Sequence, residues 1–238
     1  MKDHSKLEIE INDAKDIQFL KDKNLDEVED LHLHIYKLIS LRFIKNFKNL
    51  KSLLVGGSVK DYAPISDCIS LESLYISTSG AINDLDFIKP LSIKDLRLES
   101  FRTKSKDFSI PNLESMESLE ISSVSAIVNL DFLEDFTSLK RLSLFNLQSK
   151  ELFDFSKLKN LEVLELTNMF HLKNFQDLKS LQQLEDLRIH QFYINRQIKI
   201  DVKKELLKVI SDLENVKSIS LTINDERYNK DDLKAMLK

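Results

Sequence analysis

The chain has 238 residues, 42% apolar and 31% charged, which suits a folded, water-facing protein and excludes a disordered or membrane-embedded one. Its single Cys excludes an intramolecular disulfide framework and favours a reducing compartment, and three Gly leave no cluster for a phosphate-cradling or dinucleotide loop. With 35 basic against 39 acidic residues the net charge is −4, without the basic excess that general nucleic-acid affinity relies on.

The chain opens Met1-Lys2-Asp3-His4-Ser5-Lys6 and then alternates as Leu7-Glu8-Ile9-Glu10-Ile11, the pattern of a strand with one wet face. No apolar signal segment stands here and no apolar run reaches the ~18 residues of a membrane helix, so the expected location is cytoplasmic, with no membrane attachment. From there the hexad apolar-x-x-apolar-x-apolar returns at 28–33, 50–55, 71–76, 93–98, 116–121, 139–144, 161–166, 184–189 and 216–221. With Leu7 as a degenerate first copy, the anchors are Leu7, Leu31, Leu53, Leu74, Leu96, Leu119, Leu142, Leu164, Leu187 and Ile219. Their spacings run 24, 22, 21, 22, 23, 23, 22, 23 and 32 residues. The phase extends outside the hexad. Nine residues before the anchor stand Ile44, Ile65, Phe87, Ile110, Leu133, Phe155, Leu178 and Ile210; six before it stand Leu25, Phe47, Cys68, Pro90, Leu113, Phe136, Leu158, Leu181 and Leu213. One rung cannot offset its own chain entropy, but stacked rungs share a continuous core.

The spacing of 32 marks an irregular rung, where Val202, Leu206, Val209, Ile210 and Leu213 fall at helical spacing behind Asp201 as an expected N-cap. The tail from Asn229 to Lys238 predicts a short helix covering the end of the stack. The expected organisation is therefore one domain over 1–238: a degenerate repeat or cap over 1–27, phased repeats over 28–224 with a helical insertion near 201–213, and a C-terminal capping helix over 225–238.

These phased hexads resemble the 22-residue leucine-rich repeats of internalins and of a eukaryotic protein-phosphatase regulatory subunit. The segments 83–91 and 129–136 are similar to the connecting segments of bacterial members. The resemblance implies an α/β leucine-rich-repeat solenoid, a curved horseshoe. About ten parallel strands would line its concave face, with short turns, 3-10 segments and one full helix on the convex face. It also implies a bacterial source. The family places Asn three residues after the hexad; here that column reads Tyr36, Ser58, Ser79, Phe101, Val124, Leu147, Met169, Phe192 and Asn224, so an altered corner is expected.

Strand alternation sends the x positions of each hexad to the concave side. The three outward columns carry four basic residues (Lys6, Arg97, Arg141, Arg188) against eight acidic ones (Glu8, Glu10, Asp30, Asp95, Glu99, Glu120, Glu165, Asp186). Lysines such as Lys45, Lys48, Lys51, Lys157 and Lys159 fall on the convex segments. A mildly acidic face with a few large side chains suits a protein partner, in particular a basic one. The expected contact residues are His32, Leu54, Tyr75, Arg97, Glu99, Glu120, Arg141, Phe145, Glu165, Arg188 and His190. The plainer reading of the same residues is an ordinary solvated strand face.

Candidate chemistry is sparse. His32 and His34 share a strand face beside Glu8 and Glu10, a set that could hold a divalent metal or else form Glu–His cross-strand pairs. Cys68 falls in a core column, and Gly56-Gly57 lacks the Lys-Ser/Thr of a phosphate loop. Asp84-Leu85-Asp86 and Asp231-Asp232 lack calcium-loop spacing, and the five His are too scattered to place a Ser-His-Asp set. No enzyme activity and no cofactor is expected. The leading expectation is a non-catalytic protein-binding scaffold, monomeric, in the manner of an inhibitor or immunity protein covering a basic partner. The alternatives are a regulatory subunit of an enzyme, a surface adhesin, or a metal-dependent site at His32 and His34.

Overall fold

The structure, a computed structural model, describes residues 5–103, 108–111, 113–124, 127–191, 200–213 and 215–236. It divides into two compact units, Met1–Met116 and Glu117–Lys238. Unit 1 carries β1 (Lys6–Ile11), β2 (Asp30–Ser40), β3 (Ser52–Asp61), β4 (Ser73–Ser77) and β5 (Asp95–Glu99). These pair in parallel in chain order, anchor beside anchor: Leu7 with Leu31, Leu31 with Leu53, Leu53 with Leu74, Leu74 with Leu96. Unit 2 carries β6 (Ser118–Ser122), β7 (Arg141–Phe145), β8 (Val163–Thr167), β9 (Asp186–Gln191), α1 (Ile200–Ser211) and β10 (Ser218–Ile223). Here too the register is anchor to anchor, Leu119–Leu142–Leu164–Leu187–Ile219. The chain then turns back into β11 (Glu226–Asn229), antiparallel to β10, and ends in α2 (Lys230–Met236). The ten expected parallel strands are present, five in each unit.

The inward hexad positions are dry. Leu53 is 1% exposed, and Leu31, Leu74, Leu96, Leu119, Leu142, Leu164 and Leu187 are 0% exposed. Only the first copy is loose, since Leu7 is half-buried. Each such burial is worth roughly 1.5–3 kcal/mol against exposure. Between strands the chain crosses in single 3-10 turns such as Arg42–Asn46, Ala63–Asp67, Asp131–Asp135 and Gln176–Ser180. Their i→i+3 bonds, for example Ile44 N–H to the Leu41 carbonyl at 2.9 Å and Phe47 N–H to the Ile44 carbonyl at 3.0 Å, place both column residues on one face.

One rung departs from the expected phase. Phe87 is only half-buried and Pro90 is exposed, and the positions assigned to them are filled by Ile88 at 0% and Leu91 at 4% exposure. Leu85, Ile88 and Leu91 recur every three residues, the period of a 3-10 turn, with Ile88 N–H bonded to the Leu85 carbonyl at 3.0 Å and Leu91 N–H to the Ile88 carbonyl at 2.9 Å. Phe87 is turned sideways and stacks on Tyr62, ring centroids 5.7 Å apart.

The corner after each strand is built differently from an Asn ladder. Gly57, Ser100, Ser123, Asn146 and Asn168, each four residues past its anchor, adopt positive φ. After the last four of these the next residue drops into the core, Phe101, Val124, Leu147 and Met169 being at most 1% exposed, whereas Ser58 after Gly57 is half-buried. Backbone groups are satisfied rung to rung, Ser123 N–H to the Phe145 carbonyl at 2.9 Å, Asn146 N–H to the Thr167 carbonyl at 2.8 Å, and Asn168 N–H to the His190 carbonyl at 2.7 Å. Phe192, in the same column, lies outside the described residues.

At the C-terminal end α1 seats Leu206, Val209 and Ile210, each at most 1% exposed, close to the predicted span. The side chain of Asp201, the expected N-cap, lies outside the described residues. The cap is more than a helix. Asn224 (φ 50°) and Asp225 (φ 68°) make a two-residue turn, which needs positive φ at both central positions, and β11 folds back before α2 begins. Asn229 caps α2, its Oδ1 accepting from the N–H of Asp231 at 2.8 Å and of Asp232 at 3.0 Å.

Candidate protein-binding faces

Unit 1 gathers His32, Leu54, Tyr75 and Arg97 in one row across its sheet, with Glu99 on the adjoining row. Leu54 is half-exposed between His32 and Tyr75. The Tyr75 hydroxyl donates to Glu99 Oε2, and Arg97 reaches Asp95 Oδ2 at 3.4 Å along its own strand.

Unit 2 places Glu120, Glu165 and Arg188 in its central row, where Glu165 lies beside Arg188 in register. Arg188 donates to Asp186 Oδ2, and that bond, with the nearby carboxylate charge, raises the guanidinium pKa further. Arg141 is exposed on the row before, opposite Ser118 and Val163. Phe145, half-exposed, stands between Ser122 and Thr167, and His190 continues that row beyond Thr167. Every nominated residue therefore stands on the outward side of a strand. Ser143, also an x position, is only 7% exposed, so the middle of that row is recessed.

The histidines are paired with carboxylates. His34 Nε2 lies 3.1 Å from Glu8 Oε1, diagonally across β1 and β2, and His32 Nε2 lies 3.2 Å from Asp30 Oδ1 on its own strand. Among the described residues no three or more His, Cys, Asp or Glu side chains converge on a point where a metal ion could sit. Cys68 is 4% exposed, and burial, with a smaller contribution from Asp67, pushes its thiol up to about 11. That is the opposite of what a thiolate nucleophile needs.

The lysines of the 3-10 side are engaged by a feature not drawn from the sequence. Two residues before their anchors, Glu29, Lys51, Glu72 and Lys94 alternate in sign along unit 1, while the same column in unit 2 reads Glu117, Lys140, Glu162, Glu185 and Lys217, with two like charges in succession at Glu162 and Glu185. Lys51 meets Glu29 at 2.8 Å, Lys94 meets Glu72 at 2.9 Å, and Lys140 meets Glu117 at 2.8 Å. The partner carboxylates raise the pKa of Lys51 and of Lys140. Exposed pairs of this kind add little stability, but they neutralise the strand entrance and leave the net negative charge to the outward columns. The alternation was visible in the sequence once the repeat was phased.

Grooves among the described residues include two that lie beside these faces or the C-terminal cap. One of about 520 Å³ in unit 1 lies beside the Tyr62–Phe87 stack, and one of about 370 Å³ in unit 2 lies between β10, β11 and the start of α2. No helix among the described residues is long and apolar enough to cross a membrane.

Comparison with solved structures finds this same architecture. Internalin C2 from Listeria monocytogenes is similar at a TM-score of 0.55 and 19% identity, over 83% of this chain and 82% of that one. The leucine-rich-repeat domain of the type III effector XopL gives a TM-score of 0.57 at 17% identity, over 92% and 76%. An internalin, InlF, from the same Listeria strain gives 0.53 at 18%, covering 88% of this chain and 64% of that one. No family model matches the sequence, and no curated protein does. The chain has the leucine-rich-repeat fold.

Proposed function

We propose that this protein is a non-catalytic scaffold that binds a protein partner through the outward faces of its strands. The observation that carries this reading is the display of half-exposed large side chains on the strands, Leu54 and Tyr75 side by side between His32 and Arg97, and Phe145 between Ser122 and Thr167. Large anchors ringed by polar groups are what a protein interface concentrates its energy on. The structural neighbours, an internalin and an effector domain among them, share the scaffold on which such a face is mounted.

The sharper form of the proposal is an inhibitor that covers a basic partner in the cytoplasm. Eight carboxylates against four basic side chains in the outward columns supply the charge, and electrostatic steering would make association fast and salt-sensitive. The lone, buried Cys68 suits a reducing compartment.

The test is affinity measured on a partner captured from the native source and then purified. Tyr75→Ala combined with Arg97→Ala is expected to weaken binding at least ~10-fold, the scale of losing interface anchors. Unchanged affinity would remove the outward face of unit 1 from the interface. Association that does not slow between low and high salt would refute the basic partner.

A further inference from the structure

The outward face of unit 2 ends in a groove that carries an arginine. The groove there, about 370 Å³, is lined by His190, Ser220, Thr222, Arg227, Tyr228 and Asp232 with three further residues. Register assembles it. His190 of β9 stands beside Thr222 of β10, and the antiparallel return sets Arg227 of β11 against the same Thr222. Thr222 is 4% exposed, and its Oγ1 lies 3.4 Å from His190 Nδ1.

Two carboxylates near Arg227 are committed elsewhere. Glu226 is held by Lys203 of α1 and by the Tyr228 hydroxyl. Asp232 Oδ2 accepts the N–H of Asn229 at 2.8 Å as part of the α2 cap. The side chain of Arg227 is exposed and makes no hydrogen bond or ion pair with a described residue. A planar guanidinium with its donors open, set at a groove beside two hydroxyls and an imidazole, is matched by a planar anion.

We propose that this groove takes a carboxylate side chain of the protein partner. Arg227 grips it bidentately, and Ser220, Thr222 and His190 donate alongside. A singly charged carboxylate is favoured over a phosphate dianion because Asp232 also lines the groove and repels the second charge. This rests on the protein-binding reading and adds a polarity to it. Basic side chains of the partner face Glu120 and Glu165, and an acidic one sits at the β10–β11 end.

The test is an NMR titration of the full chain with N-acetyl-glutamate amide, N-acetyl-glutamine amide and inorganic phosphate, following the Arg227 Nε–H and the His190 ring. The glutamate probe is expected to shift both saturably and to bind at least ~10-fold more tightly than the glutamine probe, because only the former is charge-assisted. Arg227→Gln should abolish the shift at His190 while leaving the thermal midpoint unchanged. Equal response to the two amino-acid probes, tighter response to phosphate, or a response that survives Arg227→Gln would each overturn the proposal. Loss of the wider protein-binding reading would show in the Tyr75 and Arg97 affinities and would leave this titration unaffected.

Discussion

Leu164→Ala, paired with Val163→Ala, asks whether the hexad decides which side chains are core. The two residues are adjacent on β8 and differ by one step of the strand alternation. Leu164 is 0% exposed and packed in register between Leu142 and Leu187, also 0% exposed; Val163 is half-buried between Arg141 and Asp186. Leu→Ala removes three carbons at about 0.8 kcal/mol each, roughly 2.4 kcal/mol of transfer energy. The rungs on either side cannot collapse into the gap without breaking the ladder, so a cavity contribution raises the expected cost to about 3–4 kcal/mol, within the range for buried leucines. At ~2–4 °C per kcal/mol for a chain of this size, the transition involving unit 2 should fall by roughly 6–15 °C. Val163→Ala should cost less than about 1 kcal/mol. Thermal melts followed by circular dichroism, with urea titration as a second measure, read both. Equal costs for the two substitutions, or a Leu164→Ala protein within a degree or two of wild type, would mean that the anchor column is not buried as described.

Two further outcomes follow from the geometry. Asn146 sits at φ 51°, so Asn146→Val should destabilise by about 1–2 kcal/mol while Asn146→Gly stays within a few tenths, read by urea titration; equal effects would refute a conformational role for the corner. The Cys68 thiol is raised by burial from 9.0 to about 11, so it should resist a thiol reagent at pH 8 until the protein is unfolded. Because the folded value is the higher one, the neutral thiol's contribution to stability is fully present below pH 9 and is lost as pH rises through about 11. Stability of wild type relative to Cys68→Ala should therefore fall across that interval. Rapid labelling of the native protein, or no pH dependence in the difference, would contradict the burial.

The strands were legible because their signal is redundant. A hexad that recurs ten times, with extra apolar columns in phase, fixes register even where one copy such as Leu7 is worn. Counting back from the anchor misplaces Phe87 and Pro90 because it assumes an invariant crossing, whereas this one meets its hexad one residue sooner: buried Leu91 lies two residues before Ile93, where Phe47 lies three before Leu50. The corner was anticipated only as something altered. Its actual device, a Ser or Asn in left-handed backbone followed by a buried Phe, Val, Leu or Met, begins one position before the column where the family places Asn.

Of the nominated face residues, the sequence gives the side of the sheet on which each stands, since alternation alone determines it. It does not give the bonds that orient them, such as Tyr75 to Glu99, because these depend on rotamers and on neighbours more than 20 positions away. The His32 and His34 pair illustrates the same limit: the adjacency to Glu8 was readable, while the choice of Asp30 for His32 was not. The β10–β11 groove is not legible in the sequence, because 225–238 reads as one capping helix and leaves Arg227 without the strand on which it stands.

A photo-crosslinking side chain installed singly at Tyr75, at Phe145 and at Ile69 reports directly where a partner sits. Ile69 is the control, 77% exposed in the loop after the Ala63–Asp67 turn. The predicted result is a protein adduct from Tyr75 or from Phe145, and none from Ile69. An adduct formed through Ile69 while both strand positions stay silent would contradict the assignment of binding to the outward strand faces.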